Sequence, residues 1–142
     1  MRSLSFILPV TLAAAASAVQ LRYDNTYDNA AQSLATVSCS DGANGLLTKG
    51  FTTFGSLRNF PNIGAAQAVT GWNSTACGSC WSVTYTNAQG KATSVNILAV
   101  DHAGTGFNVA QKAMDTLTGG NAVAFGVVDV TATQVAASAC KL

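Results

Sequence analysis

The alternation of apolar and polar positions predicts a chain rich in short strands with one good helix. Trp81-Ser82-Val83-Thr84-Tyr85 alternates with the period of a half-buried strand, and Asn87-Ala88-Gln89-Gly90 after it reads as a hairpin turn. Thr93 to Val100 (TSVNILAV) is then the return strand, its last residues continuously apolar as in a strand covered on both faces. From Asn108 to Leu117 the period changes. Val109, Ala110, Ala113, Met114 and Leu117 share one helical face, Asn108 stands where a cap is expected, and Gly119-Gly120 supplies the stop. A short helix over Asp28–Leu34, with Asp28 as its cap, is a second expectation. Val123–Val130 and Thr131–Val135 read as two strands or one long bent strand. Ser40 to Asn73, rich in Gly, Asn and Thr, reads mostly as loop with short strands. Together these segments point to one small β-barrel with a helical insertion.

The N-terminus follows different rules. Met1-Arg2 is followed by an apolar stretch from Leu4 to Ala16 that closes on Ala16-Ser17-Ala18, a small-x-small cleavage pattern. Residues 1–18 therefore read as a signal peptide and 19–142 as the mature, secreted domain. The apolar run falls short of the roughly 20 residues a membrane span needs, so a membrane-embedded protein is not expected. Cleavage takes Arg2 with it and leaves six basic groups against six acidic ones.

Secretion changes how Cys39, Cys77, Cys80 and Cys140 are read. Cys77-Gly78-Ser79-Cys80 has redox-motif spacing, yet a strand rather than a helix follows it. In an oxidising compartment two disulfides are the expected use of four cysteines, and three pairings are open.

Charge narrows the function classes. Only 9% of the residues are charged, all six acidic residues are Asp, and there is no Glu. No basic stripe exists to neutralise phosphates, which argues against nucleic-acid binding. His102 is the single histidine and has no evident co-ligands, so neither a metal nor another cofactor is expected. Gly104-Thr105-Gly106 lacks the lysine and length of a phosphate loop.

Asp101 is the most informative residue. It follows the most apolar strand and opens onto His102-Ala103-Gly104-Thr105-Gly106, where a carboxylate either meets a ligand or accepts loop amides and holds the turn. Asn108 lies near the same loop. Trp72, Trp81, Tyr23 and Tyr27 are the aromatic candidates for stacking on a sugar face. Trp72, in the loop Gly71-Trp72-Asn73, suits that role better than Trp81, which reads as core. Asn73-Ser74-Thr75 is a formal N-glycosylation sequon. Glycoside hydrolysis normally needs two carboxylates flanking the bond, and no second Asp is marked by its context. An enzyme is accordingly not the first expectation.

Cys39-Ser40-Asp41-Gly42, Phe60-Pro61-Asn62-Ile63-Gly64, Gly71-Trp72-Asn73, Cys77-Gly78-Ser79-Cys80-Trp81, Leu98-Ala99-Val100-Asp101-His102-Ala103-Gly104, Gly106-Phe107-Asn108 and Leu117-Thr118-Gly119-Gly120 together resemble the cerato-platanin family of secreted fungal proteins. The resemblance runs from Tyr23 to Cys140, with Thr86–Thr93 longer than the family's usual hairpin. It implies a mainly β, single-domain, six-stranded double-ψ β-barrel related to the barrel domain of expansins, with disulfides Cys39–Cys77 and Cys80–Cys140. It implies binding of chitin-type N-acetylglucosamine oligomers, non-hydrolytic loosening of cellulose, perception by a host plant receptor as an elicitor, and relatives that are allergens. Asp101 matches the Asp of the family's shallow saccharide groove and Asn108 a second groove residue. With Gly104, Trp72 and Tyr23 they form the candidate carbohydrate-binding set. Two other readings stand beside this one: a weak glycoside hydrolase or lytic enzyme using Asp101, and a monomer that self-assembles at air–water or wall surfaces as an interface-active structural protein.

Overall fold

The computed structural model describes residues 16–142 together with Ser5 and Ile7. Most of the predicted signal peptide therefore lies outside the described residues. Its last two positions, Ser17 and Ala18, open the first strand and stand opposite Ala132 and Thr131.

Six strands close into a barrel. They are β1 (Ser17–Tyr23), β2 (Ile63–Ala66), β3 (Cys80–Thr86), β4 (Ala92–His102), β5 (Phe107–Val109) and β6 (Val127–Val135). Around the barrel the order is β1-β5-β2-β4-β3-β6. Two pairs are parallel, β1 with β5 and β2 with β4, and an antiparallel β2–β5 contact joins them. This mixed, interlocked pairing is the double-ψ arrangement. Closure leaves no sheet edge to be protected.

The sequence pattern explains most of the strands. In β6, Val128, Val130 and Ala132 face inward while their neighbours face out, the period-2 signature of a strand covered on one side. In β4, Ile97 to Val100 are all buried, because the other face of that strand is covered too. There the chain from Val37 to Cys39 runs alongside, with the Cys39 N–H donating to the Val100 carbonyl at 3.2 Å. Burial of Leu21, Ile63, Val83, Ile97 and Leu98, each at 1% exposure or less, contributes about 1.5–3 kcal/mol per side chain. β3 and β4 form the expected hairpin, with the Asn87 side chain accepting the N–H groups of Gln89 and Lys91 across the turn. The disulfides are Cys39–Cys77 and Cys80–Cys140, so the pairing that the family resemblance implied is the one present.

Several local expectations are corrected. Asp28 does not cap a helix over Asp28–Leu34. Two single 3-10 turns flank that stretch instead, Asn25–Asp28 capped by the Asp24 side chain and Leu34–Thr36 capped by Ser33. The helix predicted from Asn108 begins later, as α1 (Gln111–Thr118), and Asn108 belongs to β5. Of the predicted apolar face, Ala113, Met114 and Leu117 are buried on the helix while Val109 belongs to β5 and Ala110 precedes α1, and Gly119 ends the helix at φ 66°. The missing cap comes from far along the chain. Asp28 accepts the N–H of Gln111 at 2.8 Å and of Lys112 at 3.1 Å, placing a carboxylate on the orphan amides of the first turn. Val123–Phe125 belongs to a helical turn, α2 (Ala122–Phe125), and one strand, β6, follows it. Asp101 lies inside β4 rather than after it.

Candidate functional site

Strand register brings the site together. Arg22 in β1 stands opposite Asn108 in β5, Asn108 opposite Ala65 in β2, and Ala65 opposite Asp101 in β4. Residues in register across a sheet share a face, so these four form one row across the outside of the barrel. Ala65, at 1% exposure, is covered and separates the Asn108 and Asp101 side chains. A register shift between Gly64 and Ala65 sets the row's alignment with β4. At Gly64 a side chain could not be accommodated, because its Cβ would lie 2.5 Å from the Asn108 carbonyl oxygen and 2.6 Å from the Val109 Cα. The glycine thus lets β2 approach β5 closely beneath the site.

At the Arg22–Asn108 end lies a shallow depression of about 360 Å³. It is lined by Arg22, His102, Ala103, Gly104, Thr105, Phe107 and Asn108. Two of the predicted site residues, Asn108 and Gly104, therefore meet here. Arg22 and His102 are additions that sequence reasoning missed. The β1–β5 register could not be read from the sequence, which marks His102 only as a metal-ligand candidate without co-ligands. The imidazole is held by a 2.6 Å contact between Nδ1 and the Val69 carbonyl. A carbonyl can only accept, so Nδ1 carries the hydrogen, and in the neutral ring Nε2 is left as an acceptor. Arg22 donates to the Gln20 side-chain oxygen at 2.8 Å, a neutral partner. The depression thus offers guanidinium and amide donors, amide and imidazole acceptors, and the open backbone of Gly104, with no carboxylate among its lining residues.

Asp101 sits at the other end of the row, half-buried and fully engaged. Its Oδ1 accepts the N–H of Ser38 at 2.9 Å and of His102 at 2.9 Å, and its Oδ2 accepts the Tyr27 hydroxyl at 2.8 Å. Of the two uses raised by the sequence, the one seen is the second: Asp101 accepts loop amides, and it does not line the depression. Tyr27, considered as a platform, is instead buried, stacked on Phe54 with ring centroids 5.8 Å apart. Burial first, and then the adjacent Asp101 charge, push the Tyr27 hydroxyl far above the usual tyrosine range.

The remaining aromatic candidates separate. Tyr23 is half-buried against the core, opposite Val109, and does not line the depression. Trp81 packs edge-on against Phe107 and donates Nε1–H to Ser79, as expected of a core residue. Trp72 is 62% exposed on a different loop and is outside the depression's lining. Among the described residues no cluster of His, Cys, Asp or Glu could hold a metal ion. No described helix is long and apolar enough to cross a membrane.

Residues 19–142 match the family model described as Cerato-platanin. The chain belongs to the cerato-platanin family. The crystal structure of cerato-platanin 2 from M. perniciosa superposes with a TM-score of 0.84 at 59% identity, covering 89% of this chain and 100% of that one. The solution structure of the fungal elicitor Cerato-Platanin gives a TM-score of 0.73 at 37% identity, with 86% and 96% covered. The heat-stable 19 kDa antigen of Coccidioides immitis is 45% identical over 127 residues, 89% of this chain and 84% of that protein. Cerato-platanin membership fits the closed mixed barrel and the two disulfides described above.

Proposed function

We propose that this protein is a secreted, wall- or matrix-associated saccharide-binding protein that takes chitin-type N-acetylglucosamine oligomers in the Arg22–Asn108 depression. The observation that carries the reading is the depression itself, which gathers Arg22, Asn108, Gly104 and His102 around one shallow, polar surface with no carboxylate in its lining. Asn108 and Arg22 donate to hydroxyl and acetamido oxygens, and the exposed backbone at Gly104 lets a ring approach closely. Asp101 acts from beneath as a positioning residue, fixing the backbone of His102 and thereby the rim. Exchange of water for polar contacts in so open a site gives weak affinity.

Such a surface favours binding over cleavage. Hydrolysis calls for two carboxylates around the bond, and Asp101 is already committed to three donors. Loosening of cellulose by competition for its hydrogen bonds is the corresponding wall activity. Recognition by a host plant is supported by the relative described as a fungal elicitor. Two disulfides in so small a domain fit an oxidising, extracellular location. One further reading has an observation of its own. Val123, Phe125 and Val127 are 63%, 47% and 39% exposed in one short stretch, which favours self-association at interfaces.

The deciding experiment is an NMR titration with N-acetylglucosamine oligomers, on wild type and Asn108→Ala. Amide shifts at Gly104, Thr105 and Asn108 that weaken in the variant are expected. An undisturbed loop overturns the reading. Release of soluble sugar that Asp101→Asn abolishes would install the hydrolase in its place.

A further inference from the structure

Trp72 is an exposed indole on a rigid mount. Its Nε1–H donates to Asp41 Oδ1 at 2.6 Å, which ties the ring across to the neighbouring loop. Gly42, at φ 78°, lies under it, and a Cβ there would come within 3.1 Å of the Trp72 ring and 2.7 Å of the Asn73 side-chain oxygen. Asn73 takes the left-handed conformation at φ 58°. From it, the side-chain oxygen accepts the Asn44 N–H at 2.9 Å, and its carbonyl accepts the Asn44 side-chain amide at 3.0 Å. The Cys39–Cys77 disulfide closes the same two loops, one running on from Cys39 and the other into Cys77. Four independent features therefore fix a side chain that solvent covers on 62% of its surface. None is needed to bury it. An immobilised aromatic face has already lost its rotamer freedom, which lowers the entropy cost of stacking a partner on it.

The mount also has a known connection to the depression. Val69 accepts from His102, which lines the depression, and Trp72 lies three residues further on. Three residues span at most about 11 Å. A saccharide chain of a few rings seated at His102 and Gly104 reaches that far. Asp41, whose Oδ1 holds the indole N–H, supplies a carboxylate beside the ring as a polar partner for sugar hydroxyls.

We infer that Trp72, held by Asp41, Gly42 and Asn73, is an outlying stacking subsite that engages the distal sugar ring of oligosaccharides long enough to span from the depression. This rests on the saccharide-binding reading above and adds a length dependence to it. The subsite engages hexamers of N-acetylglucosamine and leaves dimers to the depression alone.

The test is a length series with the full mature protein, read by amide shifts at Gly104 and Asn108 and by tryptophan emission. Trp81 is half-buried and packs on Phe107 of the depression, so only the emission change that vanishes in Trp72→Phe is assigned to Trp72. The hexamer is expected to bind about three- to tenfold more tightly than the dimer, a margin set by one aromatic contact. Trp72→Ala abolishes that margin and leaves dimer binding unchanged. Asp41→Ala, which keeps the indole and releases its mount, reduces the margin in part. Equal affinity for dimer and hexamer, with both shifting Gly104 and Asn108 and neither moving Trp72 emission, overturns the subsite while the depression stands. No shift with either oligomer overturns both. Emission that moves with protein concentration and not with sugar overturns the subsite in favour of self-association through Trp72.

Discussion

Two aspartates, Asp101 and Asp41, do the same chemical thing in opposite surroundings. Each accepts a hydrogen bond from an aromatic side chain, Asp101 from the Tyr27 hydroxyl and Asp41 from the Trp72 indole. Asp101 adds two backbone amides and sits half-buried where the Val37–Cys39 strap meets β4, so its partners have no easy substitute in water. Asp41 is exposed, and water replaces it readily. The first therefore sets whether the fold holds, and the second only how one surface ring is aimed. An acidic residue beside a proposed site thus acts in one of two ways, by supporting the scaffold or by orienting a contact, and burial distinguishes them.

The sharpest way to break the comparison is to remove both carboxylates. Asp101→Ala orphans the Ser38 and His102 amides and the Tyr27 hydroxyl, and should cost about 4 kcal/mol, given roughly 1–3 kcal/mol for each donor left without a partner. Asp101→Asn keeps one oxygen for the amides and can turn its NH₂ towards the Tyr27 oxygen, so it should cost clearly less. Urea unfolding of both variants checks this. Equal midpoints for Asp101→Ala and wild type would deny the residue its structural role. Asp41→Ala should leave the midpoint unmoved.

Asp28 falls between the two. It is half-buried and caps α1 from 83 residues away, with one oxygen on each of two amides. Asp28→Ala should cost about 1 kcal/mol, as loss of a helix cap does. Hydrogen exchange should quicken first at Gln111 and Lys112. Protection unchanged at those two amides would count against the cap.

This residue also marks where the sequence stopped being legible. The strand alternation of Trp81–Tyr85, the helical face of Ala113, Met114 and Leu117, and the stop at Gly119 are local patterns, and each is where the sequence predicted it. Asp28 was read as a cap, correctly in kind, but the helix it caps is brought to it by barrel closure, and no local signal carries that. The same applies to the site. Asn108 and Gly104 were legible because they stand four positions apart in the chain, at the turn from β4 into β5. Arg22 was not, since only the parallel β1–β5 register sets it beside Asn108. Trp72 and Tyr23 were grouped with them by residue type, and the barrel places neither in the depression.

Tyr27 sharpens the comparison through pH. Its hydroxyl ionises far above the ordinary value of 10.0, because burial and the Asp101 charge both disfavour the phenolate. In the unfolded chain it ionises near that ordinary value. The folded state therefore holds a proton that the unfolded state releases, and stability falls as pH rises above about 10. The slope approaches about 1.4 kcal/mol per pH unit from this one group. Tyr27→Phe removes the group from both states, so its stability curve should be flatter over the same alkaline range. Parallel curves for the two proteins would show that Tyr27 is not the group responsible.

Asp41 gives the smallest effect and the most local one. The indole hydrogen bond holds its carboxyl below the usual carboxylate range, the Trp72 contact being the largest cause. The bond is therefore present at neutral and mildly acidic pH and is lost only as pH falls through that lowered value. The Trp72 indole N–H resonance should stay fixed while ordinary aspartates titrate, then move at more acidic pH. Asp41→Asn should abolish that movement without changing the unfolding midpoint, because the group is exposed and its loss is compensated by water. Movement of the resonance in the ordinary aspartate range would mean that the ring is not anchored in solution. The mount would then be looser than its geometry, and the distinction between a carboxylate that supports the fold and one that aims a ring would lose its second half.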